Sequence, residues 1–343
     1  MPRLYLKNWC GANARFAVAE DGEVRDRETT KGHAYGEFYY EACDLTPDEL
    51  QCLFSDVSRS FPGEYDLVRY LFAQIYLAVL GYRCELSDGV SEYRSIFEAI
   101  EARWPLTSGE TEWKNVLLNH ISGIRHLTDD ALKELHYHRK TIFERYEGRI
   151  ESDANVLIEK AVKENLSFMK NRRDAFHFLH FILNLSTRVP DYISFLQDTL
   201  PGQTLPKGTT AHVGEYIRYF LPLCSAHLLV MPEAMETHKM TLIRNATGHE
   251  FITGDVPVAV VGAEQGMTRH NVNYFPLSPH RAIVFGFKNA VNEFIKITRL
   301  SSELKDESLV KTLNNVLLHN CTSAVFASNG KFLRENNYVP LKL

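Results

Sequence analysis

Thr46-Pro47-Asp48-Glu49 divides this chain into two kinds of text. Thr46 can accept from backbone N–H groups, Pro47 suits the first helical position, and Glu49 completes a capping box, a strong helix start. From there to about Leu200 the sequence reads as helical. The segments Glu64–Leu80, Glu92–Ala102, Glu112–Arg125, Asp129–Arg145, Asp153–Leu166 and Asp174–Ser186 carry the pattern. Thr128-Asp129-Asp130 and Ser152-Asp153 read as further N-caps.

Both ends differ from this middle. Arg15–Ala19 and Glu23–Arg25, joined across Asp21-Gly22, predict a β-hairpin, because Asp-Gly is a strong turn signal. Tyr35–Tyr40 reads as a third strand or an aromatic plug. After the breaker-rich joint Leu200–Thr210, a helix over Val213–Leu221 is followed by a return of β character. Strands are expected at His227–Met231, Met240–Arg244, Glu250–Thr253, Val258–Val261, Ile283–Phe287 and Ser323–Ala327, with an amphipathic helix over Ser302–His319. The pattern predicts an α+β fold: a mixed or antiparallel sheet built from both chain ends, with a large helical insertion in the middle. One β-rich sheet domain is expected over residues 1–45 and 211–343, a helical lobe over 46–200, and a linker or lid over 201–210.

A chain of 343 residues with 45% hydrophobic and 24% charged residues can bury a core and is not of disordered type. A formal charge of −5 argues against a constitutive nucleic-acid coat, although a local basic groove remains compatible with it. The six cysteines, Cys10, Cys43, Cys52, Cys84, Cys224 and Cys321, form no C-x-x-C pair and fit free thiols of a reducing compartment. The N-terminus lacks the apolar run of a signal peptide, and Leu71–Leu80, bounded by Arg69 and Arg83, is too short to cross a bilayer. A cytoplasmic protein without a membrane partner is expected.

The stretch His249–Val258 concentrates the chemistry. Phe251-Ile252-Thr253 leads into Gly254-Asp255, and Pro257 opens a second apolar run, so two strands joined at a carboxylate are predicted. Asp255 could hold a divalent metal or act as a base. Its sequence neighbour Glu250 would point to the opposite face of a strand, so a second carboxylate must come from elsewhere. The bland alternative is a turn in which Asp255 accepts backbone N–H groups.

Several stretches together resemble a bacterial family known as domain of unknown function 4238. Pro2-Arg3-Leu4-Tyr5-Leu6-Lys7-Asn8-Trp9 matches its H-x-V-P-x-x-Y-L-x-x-F/W start from the proline onward, and Lys31 with Phe38-Tyr39-Tyr40 looks like its next block. Arg188-Val189-Pro190 resembles its R-x-P motif. Thr253–Val258 resembles its T-S-D-x-P-V signature, and Phe275–Pro279 its F-P-L-S-P. Three departures stand out: the leading His has no counterpart, Leu185 replaces a Gln, and Gly254 replaces the signature Ser. The resemblance implies an antiviral-defence or toxin-like effector, with a metal-dependent nuclease as the leading class and a phage-derived trigger as a partner.

On that reading Asp255, Arg188 and Lys7 are the catalytic candidates, with Asp255 holding Mg2+ or Mn2+ and Lys7 and Arg188 gripping a nucleic-acid phosphate. Tyr5, Lys31, Tyr40, Thr253 and Ser278 are the substrate-binding candidates. A structural ion pair is the alternative role for Arg188, and packing the alternative for Tyr5 and Trp9. His177 and His180 share a helix face, but their apolar neighbours favour a core or interface role over zinc. The run Lys170–Arg173 reads as a charged loop sooner than a phosphate site. The common nucleotide, hydrolase and zincin motifs are absent. The competing function is a non-enzymatic sensor or binding module for a phage product or small ligand. Oligomeric state is not legible.

Overall fold

The fold is described from a computed structural model over residues 3–10, 15–28, 44–61, 66–86, 91–123, 126–187, 211–265, 268–298 and 303–340. By their internal contacts the residues divide into two compact units, one of 1–36, 150–190 and 225–343, the other of 37–149 and 191–224. The expected linker 201–210 and the Tyr35–Tyr40 segment lie outside the described residues.

The helical unit begins where the capping box predicts. Helix α2 (Pro47–Ser60) follows the short N-terminal helix α1 (Arg3–Leu6), and Thr46 and Glu49 exchange their bonds across the first turn, at 3.3 and 2.8 Å. Helix α3 (Asp66–Glu85) is apolar on nearly every side and is a core helix, as its composition requires. Helices α4 (Arg94–Arg103) and α5 (Ser108–Ile121) follow. The start of α5 lies earlier than predicted because Thr107 and Glu110 form a second capping box, a T-x-x-E signal obscured by Gly109. Trp104 stacks on Phe72 at 4.7 Å and Phe143 on Tyr219 at 4.0 Å within this unit.

Two sequence expectations are corrected among the helices. The predicted break before Ser152-Asp153 does not occur: Asp129–Val162 is one helix, α6. Ile142, Tyr146, Ile150, Ala154, Ile158 and Ala161 are all buried along it, so an unbroken apolar stripe overrides the local cap signal. After α7 (Arg172–Ser186), the segment His227–Met231 is not a strand. Helix α8 (Ala211–Leu229) runs through Pro222 and includes its first residues. Tyr219, Leu223 and Ala226 are buried at helical spacing, which decides against the extended reading of a short apolar run. A single-turn helix, α9 (Pro232–Thr237), then leads directly into strand β3 (His238–Asn245).

The β text forms two sheets where one was expected. The first is antiparallel and joins both chain ends. It has the order β2 (Glu23–Glu28), β1 (Phe16–Glu20), β9 (Ala324–Ala327), β4 (Thr253–Gly254). Asp21 and Gly22 turn the hairpin with φ of 53° and 83°, which a glycine and an aspartate tolerate. The second sheet has the order β5 (Ala259–Gln265), β6 (Thr268–Ser278), β7 (Arg281–Phe287), β3, β8 (Glu303–Leu304), parallel only at β3/β8. The chain leaves the first sheet at Gly254 and enters the second at Ala259. Pro257, which cannot donate to a ladder, lies in the gap. Helices α10 (Lys288–Thr298), α11 (Glu307–Asn320) and α12 (Gly330–Glu335) complete this unit.

The histidines of α7 behave as core and surface residues. His180 is fully buried and stacked on Phe176 at 5.6 Å, and burial, with His177 nearby, presses its pKa down to about 3. His177 lies 3.7 Å from Asp153. The native state therefore holds His180 neutral while the unfolded chain takes up a proton near 6.5. Stability from this group is complete above about pH 6.5 and falls steadily toward pH 3 as the unfolded state binds the extra proton. Urea unfolding against pH is expected to show that decline, and a His180→Phe variant a shallower one. An unchanged slope in the variant would contradict the assignment.

Candidate functional site

The His249–Asp255 segment runs antiparallel along β9 but has little ladder of its own. Side chains supply most of its bonds. Asn314, fully buried on α11, accepts from the Ile252 N–H at 3.1 Å and donates to the Glu250 carbonyl at 2.8 Å. It thereby acts as a surrogate strand on the open edge of β4, where unpaired backbone groups would otherwise be costly. Asn245 donates to the His249 carbonyl at 2.6 Å, the Phe251 N–H reaches the Pro279 carbonyl at 2.9 Å, and His249 meets the Tyr338 hydroxyl at 2.8 Å.

Two carboxylates bolt the ends of this segment to the ends of β9. Glu250 takes bonds from the Ser328 hydroxyl on both oxygens, at 2.7 and 2.6 Å. Asp255 accepts from the backbone N–H groups of Thr322 at 3.1 Å and Ser323 at 2.8 Å, and from the Ser323 hydroxyl at 2.9 Å. The Thr322 hydroxyl also donates to it. Ser323 and Ser328 flank β9 on either side, so the two carboxylates are held at opposite ends of it. Asp255 accepts backbone N–H groups, as a turn aspartate does, but from residues distant in sequence.

Tyr5 and Thr253 are both fully buried. The Tyr5 hydroxyl lies 2.7 Å from Thr253 Oγ1 and donates to the Pro276 carbonyl at 2.6 Å, while its ring stacks on Phe275 at 5.3 Å. Burial pushes its pKa well above the usual tyrosine range. Trp9 packs edge-on against Tyr5 at 6.4 Å. Ser278 ends β6 and accepts from the His280 N–H at 3.4 Å. Lys7 is exposed on the turn after Tyr5. Arg188, Lys31 and Tyr40 lie outside the described residues. The run Lys170–Arg173 is a helix start: Asn171 caps α7 by accepting from Arg173 and Asp174 N–H groups at 3.0 and 3.1 Å.

At Asp255 the described residues bring no second carboxylate toward a cation such as Mg2+ or Mn2+. Such ions need several oxygen ligands free to converge, and here both oxygens serve Thr322 and Ser323 while Glu250 is bound elsewhere. Among the described residues no group of three or more His, Cys, Asp or Glu could hold a metal ion. Among them also, no helix is long and apolar enough to cross a membrane.

The family model described as "Protein of unknown function (DUF4238)" matches residues 1–331. The chain belongs to this family. No curated protein and no solved structure matches it. The geometry gives a reason for one departure of this DUF4238 chain from the signature. A Cβ on Gly254 would overlap the Cys321 sulfur and lie 3.0 Å from the Ala324 carbonyl oxygen. The Cys321 thiol is buried, donates to the Leu317 carbonyl at 3.2 Å, and has its pKa pushed far up by burial and by Asp255. Sequence reading missed Asn314, Thr322, Ser323, Ser328 and Tyr338 as partners of the signature. Asn314 left a trace, a polar residue between Leu313 and Leu317 on the apolar stripe of α11. The hydroxyl residues left none.

Proposed function

We propose that the chain is a non-enzymatic sensor or binding module, with the signature segment serving as a structural clasp. One observation carries this reading: Asp255, the best catalytic candidate of the sequence, has its carboxylate engaged by the amides and hydroxyls of Thr322 and Ser323. Tyr5 and Thr253 bond to each other inside the core, which supports packing over substrate contact. A phage product or a small ligand is the expected object of recognition, the former because of the defence setting that the resemblance implies.

The competing reading is a metal-dependent nuclease of the effector type. Purified protein incubated with total tRNA, messenger RNA and plasmid DNA, with and without Mg2+ or Mn2+, separates the two. No cleavage is expected. Metal-dependent cleavage that disappears in Lys7→Ala, an exposed position whose change leaves the core intact, would overturn the binding-module reading.

A further inference from the structure

The helical unit holds a cavity of about 310 Å³ among α3, α5 and α6. Its lining follows from helix periodicity. Leu77 on α3, Trp113 and Leu117 on α5, and Leu135 on α6 give it apolar walls. His138 and Arg145 lie seven residues apart on α6 and so share one face, which brings an imidazole and a guanidinium to the same cavity. The volume is at the small end of ligand pockets, about 300–1,000 Å³, and suits a body of one or two rings.

The polar groups in this lining divide into those already engaged and those that are not. Glu110 is occupied: it caps the Thr107 N–H at 2.7 Å, accepts from Gln74 at 3.5 Å and lies 4.0 Å from Arg69. Glu134 is exposed at the rim, where solvent screens it. Arg145 has no carboxylate partner among the described residues. Its guanidinium lies over the Tyr137 ring at 5.4 Å and 3.5 Å from His138 Nδ1. An arginine can only donate, so Nδ1 is the acceptor and the imidazole proton belongs on Nε2. That Nε2 is buried and makes no well-aligned hydrogen bond, although the Gln74 backbone interacts with the ring. Burial and Arg145 hold the His138 pKa down at about 4, against a weaker pull from the Gln74 backbone, so the ring is neutral near pH 7.

An apolar slot with an aromatic wall, a guanidinium that no carboxylate among the described residues engages and a neutral imidazole is matched to one ligand chemistry. We propose that this cavity binds a small planar aromatic monocarboxylate, its rings against Trp113 and the leucines and its carboxylate on Arg145 beside His138. The planar guanidinium fork fits a carboxylate with two parallel bonds, which a point cation would not. Glu110 and Glu134 in the same lining repel an anion, so the site accommodates a single carboxylate placed directly on Arg145. The assignment deepens the binding-module reading and rests on it.

The test uses 2-naphthoate as probe, titrated calorimetrically into the full chain, with 2-naphthylmethanol and 2-naphthylmethylamine as neutral and cationic matches of the same ring. Naphthoate is expected to bind at least about tenfold more tightly than either control. Arg145→Gln, at an exposed position, should weaken naphthoate about tenfold and leave the alcohol unchanged, whereas Trp113→Ala should weaken both. Equal affinity in Arg145→Gln and wild type would overturn the proposal. So would preference for the amine, or no heat with naphthoate, benzoate or indole-3-carboxylate at millimolar concentration. Those failures remove the ligand assignment alone, because nucleic-acid cleavage is the result that removes the binding-module reading.

Discussion

Gly254→Ala is expected to destabilise the protein by about 3 kcal/mol, an effect at the upper end for one added methyl group. Position 254 pairs with Val325 in the first sheet, and its missing Cβ leaves the space that the Cys321 sulfur fills. Neither side can yield easily. Cys321 is 4% exposed and bonded to the Leu317 carbonyl, and the Ala324 carbonyl closes the other side at 3.0 Å. The double variant Gly254→Ala/Cys321→Ala removes the overlapping sulfur and should recover at least about 1 kcal/mol relative to Gly254→Ala alone. Urea unfolding of the four proteins of this cycle measures the coupling. Additive effects would mean that the two side chains do not compete for one space. On this account a serine at 254, as in the family signature, requires something smaller or displaced at 321.

Asp255→Ala should cost about 2–3 kcal/mol, because two backbone N–H groups and two hydroxyls at the start of β9 lose their shared acceptor. The site is half-exposed, so water replaces part of what is lost and keeps the figure below the sum of the individual bonds. Asp255→Asn keeps one carbonyl acceptor and is expected to lose roughly half as much. The sign is the informative part. A carboxylate retained for catalysis is commonly held at a cost to stability, so its removal tends to stabilise. A clasp does the opposite. Thermal unfolding of Asp255→Ala at or above the wild-type midpoint would reverse the structural assignment and return Asp255 to the catalytic candidates.

The dispersed carboxylates of this chain also explain why a motif alone misleads. Thr253-Gly254-Asp255 looks like a strand end presenting an acid, and locally it is one. Whether that acid faces solvent or a donor depends on Thr322 and Ser323, some 67 residues on. The same holds at the N-terminus. Tyr5 reads as a ligand-framing aromatic until Thr253 and Pro276 arrive at its hydroxyl.

What the sequence determined by itself was local and periodic: the capping box at Thr46, the Asp-Gly hairpin turn, the core helix α3, and an antiparallel sheet drawing on both chain ends. These follow from hydrogen bonds across a few residues and from apolar spacing, both written in consecutive letters. Only tertiary structure decided the rest. The stripe through Tyr146, Ile150 and Ala154 kept α6 whole despite a good cap at Ser152, because burial along a helix outweighs one cap. The β text divided between two sheets across the gap that holds Pro257, and Asn314, Thr322, Ser323 and Ser328 turned the signature segment into a clasp. Those partners are small polar residues that any loop or helix can carry. Their meaning comes from which backbone groups the fold leaves unpaired beside them, and that is a property of the folded chain.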